Sequence, residues 1–577
     1  MRLITKEIFK EISSNALITF VVTLVCFLMT YEFLGFYYVE YESLSDSFYS
    51  GSLTESAPFR SMYYLGSIGL SFLYSLFYQL CPNTEWISWF FYAYLFVAGY
   101  VLLYITDNLL PERFTLAQRV LVQAAVYFLI VADHNIHFIY TRVSYMVSGS
   151  ALVALVYFFK DRPVRVRWKL FLALNIWFVI GALTRIESTT TVLLLIVCFA
   201  FYYLQSIKQV IIVLGFPILF TVCLLILIAY DFKTATDYYM QVEPEIEAQF
   251  CERDNIVPLG EMKTARDSAI WKAARTIMWS DPKVLTPQFM RSLIRDEGVM
   301  YASIKQWKRV WGDLSQIITR FWYLSLMSLI MAVVLVAGSL HKGTRFVLAA
   351  FLFAVSFWVL MAVQNYTVKI NDRSFAPLIS LYLMCYLLAL LPLLKLKLSK
   401  KGMFSLSLIM VLFSVHVYAL KAESNVLEED LLSYKQNLAV INKYASNKLL
   451  VLNSTSCDYI FSANRPLHPF DYSTYKKIYI VDGFNIPFLP YYRSYLEKEC
   501  KCNMEDFPSF WNYLRTKHDE VMVLSQEERV NVLKEYLHVV HGYDLPLEKD
   551  TTIQLKPVER SDSRGIYFQF NFYRLKN

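Results

Sequence analysis

Residues 181–190 read GALTRIESTT, and they interrupt an apolar run that begins near Trp168 and ends near Leu204. About 20 residues cross the hydrocarbon core of a bilayer, so the run is too long for one span. A charged side chain at bilayer depth costs at least about 2.5–3.5 kcal/mol. Either Arg185 and Glu187 lie buried in one overlong helix, or two helices meet in a charged hairpin at one membrane face. The rest of the chain decides between them.

The 577 residues are 56% hydrophobic and only 18% charged, with mean hydropathy +0.38. That balance marks a polytopic α-helical membrane protein. Aromatics make up 17%, including 42 Tyr and 43 Phe, which suits interfacial anchoring. The net charge of +7 is carried by Lys/Arg clusters beside apolar runs. This is the pattern of cytoplasmic flanks, and it excludes a nucleic-acid footprint. The N-terminal run MRLITKEIFKEISSNALITFVVTLVCFLM has basic flanks like a signal peptide, but no small-residue cleavage site follows; it reads as a retained first helix. Of the nine Cys, Cys26, Cys198, Cys223 and Cys385 fall in apolar runs and read as packing residues. Cys457, Cys500 and Cys502 fall in the polar C-terminal region, where one disulfide fits an extracytoplasmic setting.

Segments of spanning length lie at 15–35, 86–106, 117–133, 142–159, 168–184, 188–204, 209–230, 318–338, 346–364, 374–395 and 402–420. The loop KDRPVRVRWK (160–169) carries five Lys/Arg and KLKLSKKG (395–402) carries four. Both are expected in the cytoplasm, with HKGTR (341–345). Only if PFRSMYYLGSIGLSFLYSLFYQLCP (58–82) lies along the outer face do all basic loops share that side. The expectation is therefore about 11 transmembrane helices, N-terminus in and C-terminus out. Residues 168–184 then run outward and 188–204 return, which places Arg185 and Glu187 at an outer hairpin. Residues 1–420 form the transmembrane module, with outer-face loops 36–85 and 231–317. The long loop reads as amphipathic helices at the membrane surface (TARDSAIWKAARTIMW, QFMRSLIRD, MYASIKQWKRVW). Residues 421–577 turn polar, with strand-like runs KLLVLNS, KKIYIVDGF, DEVMVLS and IYFQFNFYRL and a helix EERVNVLKEYLHVV. They read as an extracytoplasmic α/β domain.

Charges gather on the outer side of this topology. The loop FYYVEYESLSDSFYSG brings Glu40, Glu42 and Asp46 close to the membrane, where desolvation would raise a carboxylate toward general-base range. DHNIHFIYTR places Asp133, His134 and His137 within about a turn, as substrate contacts or as ligands of a divalent metal such as Mg or Mn, with Arg142 following to suit a phosphate. Arg185 offers a bidentate donor to a phosphate oxygen, or closes its hairpin by pairing with Glu187. Lys369, Asp372 and Arg373 precede a further span. No Walker motif, G-x-S-x-G, H-E-x-x-H or dinucleotide fingerprint is present. An enzyme on this face would need an activated donor, and a polyprenyl-phosphate sugar is one.

Over residues 1–395 the chain resembles the GT-C superfamily of membrane glycosyltransferases. The acidic EYESLSD followed by Gly51 and the Pro-led segment 58–82 look like that family's first loop and surface helix. ALTRIES (182–188) is similar to its frequent L-T-R-P-E-G, with Ile186 and Ser188 departing. NDRSFAPLISL (371–381) resembles its R-Y-x-x-P pattern, with Phe375 for Tyr. The resemblance implies a GT-C-like fold. With no organellar signal visible, the expected location is a bacterial inner membrane with the α/β domain in the periplasm, and a eukaryotic endoplasmic reticulum would look similar. It implies inverting transfer from a polyprenyl-phosphate sugar to a glycan, lipid or protein acceptor. One of Glu40, Glu42 or Asp46 would be the base. Arg185, Lys369, Arg373 and Arg142 would meet the donor phosphate, with Asp133, His134, His137, Glu187 and Asp372 at the substrates. Two other readings stay open. A transporter or flippase of lipid-linked glycans would spread polar residues through both leaflets, and a polymerase would use Arg291, Arg295 and Arg309 of the long loop.

Overall fold

The computed structural model describes residues 2–38, 84–161, 163–204, 206–234, 264–275, 304–367, 372–392, 400–445, 448–452, 465–468, 478–480, 506–556 and 569–576, with isolated positions between them. In chain order the helices are α1 (Arg2–Met29), α2 (Trp86–Leu109), α3 (Leu116–Ile130), α4 (Ala132–Ile136), α5 (Tyr140–Phe158), α6 (Trp168–Thr184), α7 (Ile186–Tyr203), α8 (Ile207–Thr234), α9 (Ala265–Arg275), α10 (Ile304–Arg320), α11 (Trp322–Ser339), α12 (Thr344–Thr367), α13 (Asp372–Leu390), α14 (Lys400–Ala445), α15 (Phe507–Thr516) and α16 (Glu527–His541). Among the described residues nine helices are long and apolar enough to cross a membrane: α1, α2, α5, α7, α8, α11, α12, α13 and α14. The apolar helices α3 and α6 are shorter. The chain is a helical membrane protein with a small C-terminal sheet region. Segment 58–82 lies outside the described residues apart from isolated positions.

The long apolar run is two helices. Arg185 alone separates α6 from α7, in extended conformation (φ −160°, ψ 112°). The Gly181 and Arg185 carbonyls on either side of the break accept the backbone N–H groups of Arg185 and Thr189, each at 3.2 Å. Ser144 of α5 ties the break to its neighbour, its hydroxyl lying 2.9 Å from the Gly181 carbonyl and 2.8 Å from that of Arg185.

One compact unit comprises Met1–Tyr37, Trp89–Leu227 and Ala302–Asn425. Its axis is α5, buried from Tyr140 to Val156 and packed on α6, α7 and α13. Small residues make this close packing possible, since Ser144, Ser148, Gly149, Ser150 and Ala151 let neighbouring backbones approach. The helix ends differ in chemistry. Where α5 and α7 finish, Lys160 stacks over the Tyr203 ring at 4.1 Å and Gln209 donates to the Phe159 carbonyl at 2.9 Å. Ser339 there donates to the Tyr202 hydroxyl at 3.4 Å, so the basic loops at 160–169 and 341–345 share one end. The opposite end collects the start of α5, the α6–α7 break, the α10–α11 junction and the start of α13.

The last helix of this unit does not stop where the composition turns polar. α14 runs 46 residues to Ala445. Buried Leu420, Ser424, Leu427 and Leu431 keep a spacing of three or four into the polar stretch, so the helix retains a packed stripe there.

The second unit comprises Tyr38–Ser88, Ile228–Tyr301 and Val426–Asn577. Its strands are β1 (Leu449–Leu452), β2 (Ile478–Ile480), β3 (Val521–Ser525), β4 (Leu547–Gln554) and β5 (Gln569–Leu575), in the order β2-β1-β3-β5-β4. β1 is parallel to β2 and β3, whereas β5 is antiparallel to β3 and β4. Four strands and α16 fall on the runs read from the sequence. β4 and α15 do not; LEKDTTIQ is an edge strand with mostly exposed side chains and a bulge between Lys549 and Thr551, so it shows no alternation. Helix α9, expected at a membrane surface, packs on α16: Ala269, Ile270 and Ala273 are buried and Lys272 meets Glu535 at 2.7 Å. Cys457, Cys500 and Cys502 lie outside the described residues.

A Cβ on Gly181 would sit 2.7 Å from the Ser148 backbone nitrogen, where neither partner can turn aside. Gly181→Ala should therefore push α6 off α5 and cost about 1–3 kcal/mol. A thermal melt in detergent should show the loss. An unchanged midpoint would mean that the two backbones are not held this close.

Candidate functional site

The site lies in the first unit, at the end away from the basic loops. It starts at α4, a five-residue helix in which every residue is buried. Asp133 is the centre. Its Oδ2 accepts from the Arg142 guanidinium at 2.6 Å, and its Oδ1 lies 2.7 Å from Nδ1 of His137. The same Nδ1 lies 3.1 Å from Nη1 of Arg142, and Nε2 faces Glu423 of α14 at 3.5 Å. Glu423 also accepts from Arg320 at 2.8 Å, and Arg320 pairs with Asp372 at the start of α13. Five elements are thus joined by alternating charges.

Electrostatics follow from burial. Burial alone would raise the Asp133 carboxyl; Arg142, then His137, outweigh it and hold the group well below the usual carboxylate range. Burial pushes the neighbouring His134 imidazole down from 6.5 to about 3, against the attraction of Asp133. His134 is fully buried and, among the described residues, neither ring nitrogen has a hydrogen-bond partner.

A second group adjoins the first through consecutive residues of α5. Arg185 donates to the Tyr140 hydroxyl at 2.7 Å and the Thr141 hydroxyl at 3.0 Å, and its guanidinium stacks on the Tyr140 ring at 5.1 Å. Glu187 lies 3.5 Å from Arg185 and is largely exposed, so this pair is worth little by itself. The buried Tyr145 hydroxyl faces Thr191, Gln364 and Ser374, next to Arg373 on the first turn of α13.

Of the residues expected from the sequence, Asp133, His137, Arg142 and Asp372 share one network, with Arg185 and Glu187 beside it. Arg142 is the least accessible cation, and it is held by Asp133 in the interior. Glu40, Glu42, Asp46 and Lys369 lie outside the described residues. Among the described residues no group of three or more His, Cys, Asp or Glu is arranged to hold a metal ion. The corner between Asp133 Oδ2 and His137 Nδ1, where a divalent cation would sit, is taken by the Arg142 guanidinium. Sequence reading missed Arg320, Glu423 and Tyr140. The signal for Glu423 was the three-and-four spacing that continues past Leu420. For Arg320 it was the basic end of an amphipathic run. Tyr140 carried none.

No family model, no curated protein and no solved structure matches the chain.

Removing one member of a buried ion pair strands the other and costs about 3–5 kcal/mol. Asp133→Asn and Arg142→Gln should each destabilise the protein by that order, and the double variant by clearly less than their sum. Strict additivity in denaturation would show that the two do not act as a pair. His134 has a separate signature. Its unfolded form takes a proton near pH 6.5 and its native form only near pH 3, so between these values the unfolded state holds more protons. Stability should fall as pH drops through that window, and His134→Leu should flatten the fall. An unchanged slope in melts from pH 7.5 to 4 would contradict the buried neutral imidazole.

Proposed function

We propose that the chain is an inverting glycosyltransferase that moves a sugar from a polyprenyl-phosphate donor to a glycan, lipid or protein acceptor at the outer face of the membrane. The observation that carries this reading is the setting of Arg185. A single part-buried arginine stands at the break between two apolar helices, aimed by Tyr140 and Thr141, at the end of the helices away from the basic loops. A lipid-linked phosphate arrives at that depth with its chain in the bilayer, and a planar guanidinium is matched to its oxygens.

In this reading the acceptor hydroxyl attacks the anomeric carbon while the bond from that carbon to the phosphate oxygen breaks, with inversion. The hydroxyl proton passes to a carboxylate of the first loop, Glu40, Glu42 or Asp46. The electron pair leaves on the phosphate, where Arg185, with Arg373 and Lys369, offsets the charge; such stabilisation usually lowers the barrier more than proton transfer does. Arg142 acts at one remove by holding Asp133 and, through it, His137. α3 and α6 complete eleven crossings with the nine longer helices. The N-terminus is cytoplasmic and the C-terminal α/β domain periplasmic, in a bacterial inner membrane with a GT-C-like layout.

The test is transfer from a panel of polyprenyl-phosphate sugars by purified protein in nanodiscs, with and without EDTA. Wild type should form product, Arg185→Gln should lose about 10²–10³ in turnover, and one of Glu40→Gln, Glu42→Gln and Asp46→Asn should abolish it. No turnover across the panel, with lipid-linked glycan instead crossing liposomes, would replace this reading with a transporter.

A further inference from the structure

Helix α10 carries apolar surface that is only partly buried among the described residues. Val310, Leu314 and Ile317 recur on one face, are buried, and pack on α12, where Asn365 donates to the Val310 carbonyl at 2.9 Å. Trp307 and Trp311 flank this stripe one turn apart, 38% and 62% exposed. At about 100° per residue, the arc from Ile317 through Val310, Leu314 and Trp307 to Trp311 covers about 120°. Its first half is buried, Trp307 is partly covered, and Trp311 is the most exposed of the five. Lys308, beyond the outer edge of the arc, is exposed. By sequence the helix has four basic residues, Lys305, Lys308, Arg309 and Arg320, against one acid, Asp313.

What covers the remaining half follows from the next element. Phe321 alone separates α10 from α11, a helix of membrane-crossing length. The exposed stripe of α11 is Trp322, Leu326, Leu329 and Val333, all apolar and spaced by three or four. α10 therefore ends where a span begins, at the depth at which indole rings are enriched because one part is apolar and the N–H needs a polar partner. Cationic residues beside such a face meet lipid phosphates.

We infer that α10 is a membrane-interface helix, with Trp307 and Trp311 at the head-group–acyl boundary and Lys308 at anionic phospholipid head groups. This holds whatever reaction the chain catalyses. It also reaches the charged network: the last residue of α10 is Arg320, which binds Glu423 and Asp372. Lipid seating of one helix thereby helps to place a member of the site.

Full-length protein in nanodiscs made with an anionic phospholipid that bears a photoreactive diazirine on its acyl chain provides the test, with adducts mapped by mass spectrometry. The stripe Leu326–Leu329–Val333 is the internal standard. Adducts at Trp307 and Trp311 within about threefold of that standard, and at least tenfold fewer at Gln316 on the polar side, are expected. Exchanging the anionic lipid for a zwitterionic one with the same photoreactive chain should lower labelling of α10 several-fold and leave α11 unchanged. A labelled α11 with a bare α10 would overturn the proposal, as would cross-links between two copies through Trp311, which would assign the face to a second chain. Labelling indifferent to head-group charge would overturn the anionic part.

Discussion

The charged end of the first unit depends on one interaction, the ion pair between Asp133 and Arg142. Both groups are removed from water, which costs several kcal/mol per ion unless each finds its partner with good geometry. Arg142 sits in the first turn of α5, the most enclosed helix, so core packing fixes its position. Asp133 follows Arg142, His137 follows Asp133, and Glu423, Arg320 and Asp372 extend the chain of charges toward solvent. Placement of the outer members is therefore inherited from apolar contacts deep in the bundle. The same holds for Arg185, whose helix break is held by a hydroxyl from α5.

The two ends of the helices solve different electrostatic problems. At one, Lys160 and Lys342 lie over the rings of Tyr203 and Tyr202. At the other, cations and anions alternate at hydrogen-bond distance. Such a neutralised cluster can persist at a low-dielectric boundary where single-sign charges could not.

Much of this was legible in the sequence. Hydropathy and spacing gave the apolar helices, and the interruption at Arg185 gave a boundary that the extended backbone there matches. The clusters at 133–142 and around Asp372 were visible as charges close to helix ends. Their connection was not, because it runs through Glu423, some 290 residues beyond His137 and past the point where composition changes. Composition averages over a window and so registers the end of a membrane stretch, whereas a helix ends only where its hydrogen bonds and packed stripe end. Arg320 was hidden for a related reason: an arginine at the foot of a span has an ordinary anchoring role, and only the fold brings two carboxylates to it. β4 was invisible because an exposed edge strand has no alternation to read.

The seat of α9 on α16 bears on how the protein is made. Lys272 and Glu535 are 263 positions apart. At a synthesis rate of about 5–20 residues per second, the first of these helices waits on the order of ten to fifty seconds for the second. During that time the face formed by Ala269, Ile270 and Ala273 has no partner from its own unit, while the helices coded between them are still being inserted. α9 can find its seat only after residues 527–541 have been made. A nascent chain stalled or cut before residue 527 would carry an adhesive patch, a substrate for holding chaperones and a signal by which an unfinished copy can be told from a finished one.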